Sequence, residues 1–165
     1  MQLIFIVGSN KDSMSDYLYI SETLKKYYNT LGHKLTPIFL NGKGNYNKRK
    51  KEVDKNIYKY NGITHVFMCY DIDNINKQAY ELNELIEDYA RYNHYELIWF
   101  YEDIEQVFLG DSIPYSAKTL KARQFVPHKE IDNVETINLS QTTISRKKSS
   151  NILKVLDVYL RRKEV

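Results

Sequence analysis

The chain has 165 residues, of which 42% are hydrophobic, and this is enough to form one domain around an apolar core. Charged residues make up 27% of the chain and the net charge is +3, a composition that excludes a disordered chain and fixes no partner by itself. A single cysteine, Cys69, excludes an internal disulfide and predicts a reduced, cytoplasmic protein. The apolar N-terminal run is too short for a signal peptide or a membrane span, so we expect no membrane association.

Strands and helices are predicted to alternate along the first part of the chain. The continuous apolar run Gln2–Val7 predicts a buried strand, and apolar residues at helical spacing predict a helix over residues 17–31. A second strand is predicted over residues 35–40, where Pro37 favours the edge of a sheet. A basic amphipathic helix over residues 46–60 follows.

The strongest strand pattern covers residues 64–70, which are apolar at almost every position. Such a run predicts a central strand with both faces covered. An amphipathic helix over residues 79–90, an aromatic strand over residues 95–101 and a short helix over Ile104–Leu109 complete the alternation. This order predicts an α/β fold with three layers, in which helices cover both faces of a mostly parallel sheet of about four strands.

The last third of the chain has a weaker pattern. We predict a helix over Lys118–Phe125, a short strand over Thr136–Leu139, and a C-terminal helix over residues 152–160 that the polar residues 149–151 would cap. The whole chain is predicted to be one domain, with a core over residues 1–110 and a C-terminal extension over residues 111–165.

Ligands of parallel α/β sheets gather at the carboxyl ends of the strands, a rule that selects residues 8–12, 71–74 and 101–105. Asp71 and Asp73 lie directly after the central strand. Two neighbouring carboxylates repel each other unless a cation or proton offsets their charge, and hard cations such as Mg²⁺ or Mn²⁺ prefer oxygen ligands. The pair therefore predicts a metal site. The alternative is a polar turn in which one aspartate caps the next helix.

Glu105 follows the fourth predicted strand, with Glu102 and Asp103 close by. It is the third carboxylate that we expect at this edge of the sheet. The alternative is an acidic helix N-terminus, which the helix dipole favours.

Basic residues near this edge are candidates for phosphate contacts. We assign this role to Lys11, Lys43, Lys48 and Arg49, and we expect a nucleic acid, DNA or RNA, as the partner. The alternative is that these lysines and arginines lie in solvated helix ends and loops. The loop after the first strand matches neither the phosphate-binding loop of NTPases nor the dinucleotide fingerprint.

Taken together, these motifs resemble the Toprim domain of topoisomerases, bacterial primases, OLD-family nucleases and small RloB-like defence proteins. The resemblance covers roughly residues 1–110. It is carried by the strand at residues 3–7, the step Asp71-Ile72-Asp73, the strand at residues 97–101 and the acidic segment at residues 103–109. The resemblance implies that Asp71, Asp73 and Glu105 bind Mg²⁺ in a nuclease-like site. It also implies that the protein acts in phage defence.

One position departs from the Toprim pattern. Those domains usually carry a glutamate just after the first strand, where this chain has Gly8 and Ser9. Asp12 is the candidate to take over the acid–base role of that glutamate. Three hypotheses remain open: a Mg²⁺-dependent nuclease, a degenerate module that binds nucleic acid or a protein partner without cutting, and a Rossmann-like nucleotide-binding protein. The sequence is also compatible with a homodimer.

Overall fold

The computed structural model describes residues 1–73 and 75–164. Its centre is a five-stranded sheet with the strand order β2-β1-β3-β4-β5. The first four strands run parallel and the short fifth strand is antiparallel to β4. The strands are β1 (Gln2–Val7), β2 (Lys34–Phe39), β3 (Thr64–Asp71), β4 (Glu96–Tyr101) and β5 (Ser149–Ser150). The predicted α/β class with a mostly parallel sheet is confirmed.

Helices cover both faces of this sheet and so complete three layers. The helices are α1 (Ser15–Tyr27), α2 (Lys50–Lys59), α3 (Lys77–Tyr92), α4 (Ile104–Leu109), α5 (Lys118–Phe125) and α6 (Ile152–Leu156). Residues of α1, α4, α5 and α6 share one hydrophobic core with one face of the sheet. Residues of α2 and α3 form a second core against the other face.

The alternation of side chains along β1 explains why its sequence is apolar throughout. Leu3, Phe5 and Val7 point into the first core, whereas Ile4 and Ile6 point into the second. β3 is built in the same way and lies between β1 and β4. A strand with apolar neighbours on both faces has no solvated side, so the polar residues appear only where it ends.

Three element boundaries differ from the sequence predictions. Helix α1 ends at Tyr27 rather than near residue 31, because Tyr28 is extended and pairs with Arg162. Thr136–Leu139 forms a 3₁₀ helix rather than a strand, and the Ser140 hydroxyl closes it by donating to the carbonyl of Thr136. The predicted capping residues Ser149–Ser150 instead form β5, and α6 begins at Ile152 as predicted but ends at Leu156 rather than near residue 160.

Both edges of the sheet are marked by particular residues. Pro37 lies in the edge strand β2, as its missing N–H group predicts. At the opposite side, the Asn151 side chain continues the pairing of β5: its Oδ1 accepts from Trp99 N–H and its Nδ2 donates to Leu97 O, each over 2.9 Å. In the described residues, no helix is long and apolar enough to cross a membrane.

Candidate functional site

A cleft of about 440 Å³ lies at the carboxyl edge of the sheet. Its walls come from the loops after β1 and β2, the end of β3, the start of α4 and the segment that leads into α5. The charged residues that line it are Asp16, Lys43, Asp71, Asp73, Glu105 and Lys118. The position agrees with the rule that ligands bind at the carboxyl ends of parallel strands.

Asp71 is the last residue of β3 and lies at the centre of the site. Its Oδ1 accepts a hydrogen bond of 3.0 Å from the N–H of Ile104, and its backbone carbonyl accepts one of 2.5 Å from Lys43 Nζ. Burial raises the pKa of the Asp71 carboxyl well above its usual value, and the nearby carboxylates of Asp16 and Glu105 raise it further. Asp71 is therefore a carboxylate whose charge the protein does not fully offset.

Asp16 belongs to the same group of carboxylates although the sequence analysis did not select it. It lies in the first turn of α1, and its Oδ2 accepts a 3.0 Å hydrogen bond from the N–H of Ser9. Burial, followed by the charge of Glu105, raises the pKa of Asp16 to about 6. The signal that could have found it is its place on the buried face of α1, three and four residues before the core residues Tyr19 and Ile20.

Only 1% of the surface of Glu105 is exposed, and the residue lies in the first turn of α4. Lys118, at the start of α5, approaches its Oε2 to 3.1 Å. Burial raises the pKa of Glu105, and Lys118 offsets only part of this effect. Its neighbour Asp103 has a structural role, because its side chain caps α4 by accepting from Gln106 N–H over 2.8 Å.

Asp73 and Lys43 form the more open part of the cleft. The Lys43 Nζ lies 3.5 Å from Asp73 Oδ2, and the Asp73 side chain is 40% exposed. Lys43 thus contacts both aspartates of the predicted pair, one through its backbone carbonyl and the other through its carboxylate. Four of the predicted site residues, Asp71, Asp73, Glu105 and Lys43, thus line one cleft.

The remaining predicted site residues lie outside the lining of the cleft. Asp12 is exposed, and its backbone carbonyl accepts from Arg123, so Asp16 rather than Asp12 supplies the acidic group next to the loop after β1. Lys11, Lys48 and Arg49 are also exposed. Asn74, the last residue of the predicted segment 71–74, lies outside the described residues.

The side chains of the cleft can supply only part of the ligands that a divalent cation needs. Across residues 1–73 and 75–164, no group of three or more His, Cys, Asp or Glu side chains is arranged to hold a metal by itself. Mg²⁺, however, is commonly held by one or two carboxylates together with substrate phosphates and water. Asp71 and Asp73 supply oxygen ligands of this kind in one cleft. The residues therefore fit a cation whose coordination a bound phosphate completes.

Comparisons with protein-family models, curated proteins and solved structures found no match to this chain. The Toprim resemblance therefore stays a prediction.

Proposed function

We propose that the chain is a Mg²⁺-dependent protein that cleaves phosphodiester bonds of nucleic acid in the cleft at the carboxyl edge of its sheet. The observation that carries this proposal is the convergence of Asp16, Asp71 and Glu105 with the lysines Lys43 and Lys118 on one cleft. Carboxylates that can hold a cation and lysines that can hold a phosphate are the two requirements of metal-assisted phosphoryl transfer.

The energetics of the carboxylates support a functional role. Burial and the neighbouring carboxylates raise the pKa of Asp16 and Asp71. Burial also raises the pKa of Glu105, with a smaller contribution from Asp103. Such a cluster lowers the stability of a fold unless a ligand offsets its charge. Several titratable groups with raised pKa values in one cleft are typical of catalytic and binding sites.

The polar groups around the carboxylates support a phosphate as the ligand. Lys43 and Lys118 are each partly exposed in the cleft, at 20% and 27% of their side chains. The hydroxyl Oγ of Ser9 is buried at the same cleft and has no hydrogen-bond partner among the described residues. A phosphate oxygen is a suitable acceptor for all three groups.

In the proposed reaction each residue has a separate task. A Mg²⁺ ion bound in the cleft would polarise the phosphoryl group and make a water molecule more acidic. Asp71 and Asp73 would hold the cation, and Lys43 and Lys118 would orient the phosphate oxygens. Asp16, whose carboxylate accepts a hydrogen bond from the Ser9 N–H, would take the proton of the attacking water, the role expected above for Asp12. The water oxygen bonds to phosphorus while the bond from phosphorus to the sugar oxygen breaks, and that oxygen leaves with a proton from solvent. The hydrogen bond from Ile104 fixes the orientation of Asp71.

The test combines Mg²⁺ and Mn²⁺ titrations by calorimetry with a cleavage assay on labelled DNA and RNA. Asp71→Asn is expected to reduce cleavage by about 100-fold or more, the usual cost of losing a catalytic group. Asp88→Asn is the matched control, since Asp88 lies on the exposed surface of α3. Equal cleavage by wild type and Asp71→Asn would overturn the proposal.

A second candidate is a module that binds nucleic acid or a partner without cutting it. It is favoured by the Glu105–Lys118 ion pair, because this lysine already pairs with a carboxylate of the cleft without any metal. For this candidate we expect strand binding that is unchanged by EDTA and no cleavage in Mg²⁺ or Mn²⁺. The assignment to phage defence comes only from the Toprim resemblance and stays a prediction.

A further inference from the structure

Tyr115 stands at the mouth of the cleft and is 88% exposed. It begins a 3₁₀ turn, Tyr115–Ala117, which is closed by a 2.9 Å hydrogen bond from Ala117 N–H to the carbonyl of Pro114. The ring is thus held on a short ordered turn while nearly all of its surface remains in water. Tyrosine rings at the mouths of polar clefts provide a flat surface for stacking, with a hydroxyl that tolerates solvent.

The same turn connects the ring to the charged groups of the cleft. Lys118 follows three residues after Tyr115 and reaches Glu105, and Thr119 also lines the cleft. One short segment therefore contributes both an aromatic ring and an ammonium group to the lining of the cleft. A nucleotide has the complementary pair of groups, a planar base and an anionic phosphate.

The dimensions of the cleft limit what can enter it. Clefts of roughly 300–1,000 Å³ accommodate small ligands, and this one measures about 440 Å³. A base inside a duplex is stacked on both of its faces and paired at its edge, so it offers no face to a tyrosine unless it leaves the stack. An unpaired nucleotide can enter without that cost.

We propose that the cleft binds one nucleotide of a single strand, with its base stacked on Tyr115 and its phosphate held by Lys43 and Lys118. This inference rests on the proposed function and specifies its substrate as single-stranded nucleic acid. The same chemistry is present in a free nucleotide. Lys11 favours the strand. It is exposed and lies between the cleft-lining residues Asn10 and Ser13 in the loop after β1, so its ammonium group is available to a second phosphate, which a free nucleoside monophosphate lacks.

The inference is tested by fluorescence anisotropy with a labelled single-stranded oligonucleotide, once in EDTA and once in Ca²⁺, so that binding is separated from cleavage. Tyr115→Ala is expected to raise the Kd by about 5- to 150-fold, the effect of losing one base–aromatic stack. Tyr115→Phe keeps the ring and should bind like wild type. Tyr92→Ala is the control, since Tyr92 is 84% exposed at the end of α3 and does not line the cleft.

Two further ligands test whether the cleft prefers a single strand to a duplex and to a free nucleotide. A duplex of the same sequence should bind more weakly than the single strand and should not respond to Tyr115→Ala. A nucleoside monophosphate should compete only weakly. Competition by the monophosphate at the affinity of the strand would overturn the strand assignment, and absence of strand binding in both EDTA and Ca²⁺ would overturn the whole inference.

The outcomes also separate this inference from the proposed function. If cleavage needs Asp71 but Tyr115→Ala binds the strand as tightly as wild type, the inference fails and the proposed function stands. If strand binding depends on Tyr115 while no cleavage occurs in Mg²⁺ or Mn²⁺, the inference stands and the proposed function fails. Thermal melting of each variant verifies the fold, which an exposed side chain such as Tyr115 should not affect.

Discussion

The N–H of Ile104 donates a 3.0 Å hydrogen bond to the Oδ1 of Asp71, and this contact joins the end of β3 to the first residue of α4. It has two effects on the site. One oxygen of Asp71 is fixed in direction, and the next residue, Glu105, is held at the same wall of the cleft. The position of one predicted carboxylate thus sets the position of another.

Asp71→Asn is expected to stabilise the protein in the absence of divalent cations. The substitution removes an ionisable group whose negative charge is disfavoured by burial and by the neighbouring Asp16 and Glu105, and it keeps an oxygen that can accept from Ile104. The expected gain in the free energy of unfolding is about 1 to 2 kcal/mol, the scale of one poorly compensated buried polar group. Urea unfolding in EDTA measures it. Asp88→Asn should change stability by less than about 0.5 kcal/mol, and a clear loss of stability in Asp71→Asn would contradict the prediction.

Lys118→Met is expected to destabilise the protein, because it leaves the carboxylate of Glu105 buried without its ion-pair partner. Since Lys118 is partly exposed, we expect the free energy of unfolding to fall by about 2 kcal/mol, which is less than the full cost of breaking a buried ion pair. The double variant Lys118→Met/Glu105→Gln should recover much of this loss. Lys121→Met, an exposed position on the same helix, is the control. Additive effects of the two single substitutions would show that the ion pair has no energetic coupling.

Asp157 is expected to stabilise the fold in a pH-dependent manner. Burial alone would raise its pKa, but hydrogen bonds from Arg162 and Tyr28 outweigh that effect and hold the pKa below its usual 3.8. Its contribution is therefore present above about pH 4 and is lost as the pH falls through the lower folded-state pKa. Asp157→Asn should lower stability by about 0.5 to 1 kcal/mol at pH 7, after allowance for solvent screening. The difference in urea midpoint between the variant and wild type should shrink as the pH is lowered below about 4, and a difference that stays constant as the pH falls would contradict the assignment.

The thiol of Cys69 is expected to be unreactive in the folded protein. Its side chain is buried in β3, and burial, together with the charges of Asp16 and Asp71, raises the pKa of the thiol well above its usual value. The rate of labelling by iodoacetamide at pH 8 should therefore be set by the rate at which β3 becomes exposed, and this labelling rate should increase sharply in urea. Labelling in native buffer at the rate of a model thiol would show that the strand opens readily.

Most of the sheet could be predicted from the sequence, since β1 and β3 are apolar on both faces and end abruptly in polar residues. The end of α1 could not, because the extended state of Tyr28 depends on pairing with Arg162 near the other end of the chain. The same holds for β5, which exists only because β4 offers an edge to two serines. Contacts between distant segments decide these boundaries, and local patterns do not contain them.

The candidate site was predicted in part for a similar reason. Asp71, Asp73 and Glu105 follow strands, so the rule for parallel sheets places them at one edge. Lys118 reaches the cleft from the C-terminal extension, and its approach to Glu105 depends on how α5 packs against α1. Asp16 was missed because an aspartate in the first turn of a helix is ordinarily a response to the helix dipole. Only its place on the buried face of α1 distinguishes it.

The amide of Asn151 has a consequence for how this protein behaves at high concentration. A parallel sheet that ended at a bare β4 would present unpaired N–H and C=O groups along that strand, and such a border recruits strands from other molecules. Asn151 engages both Leu97 and Trp99 directly beyond the two paired residues of β5. Together, β5 and the side chain of Asn151 cover this border of β4, which leaves fewer of its backbone groups for strands of other molecules to pair with.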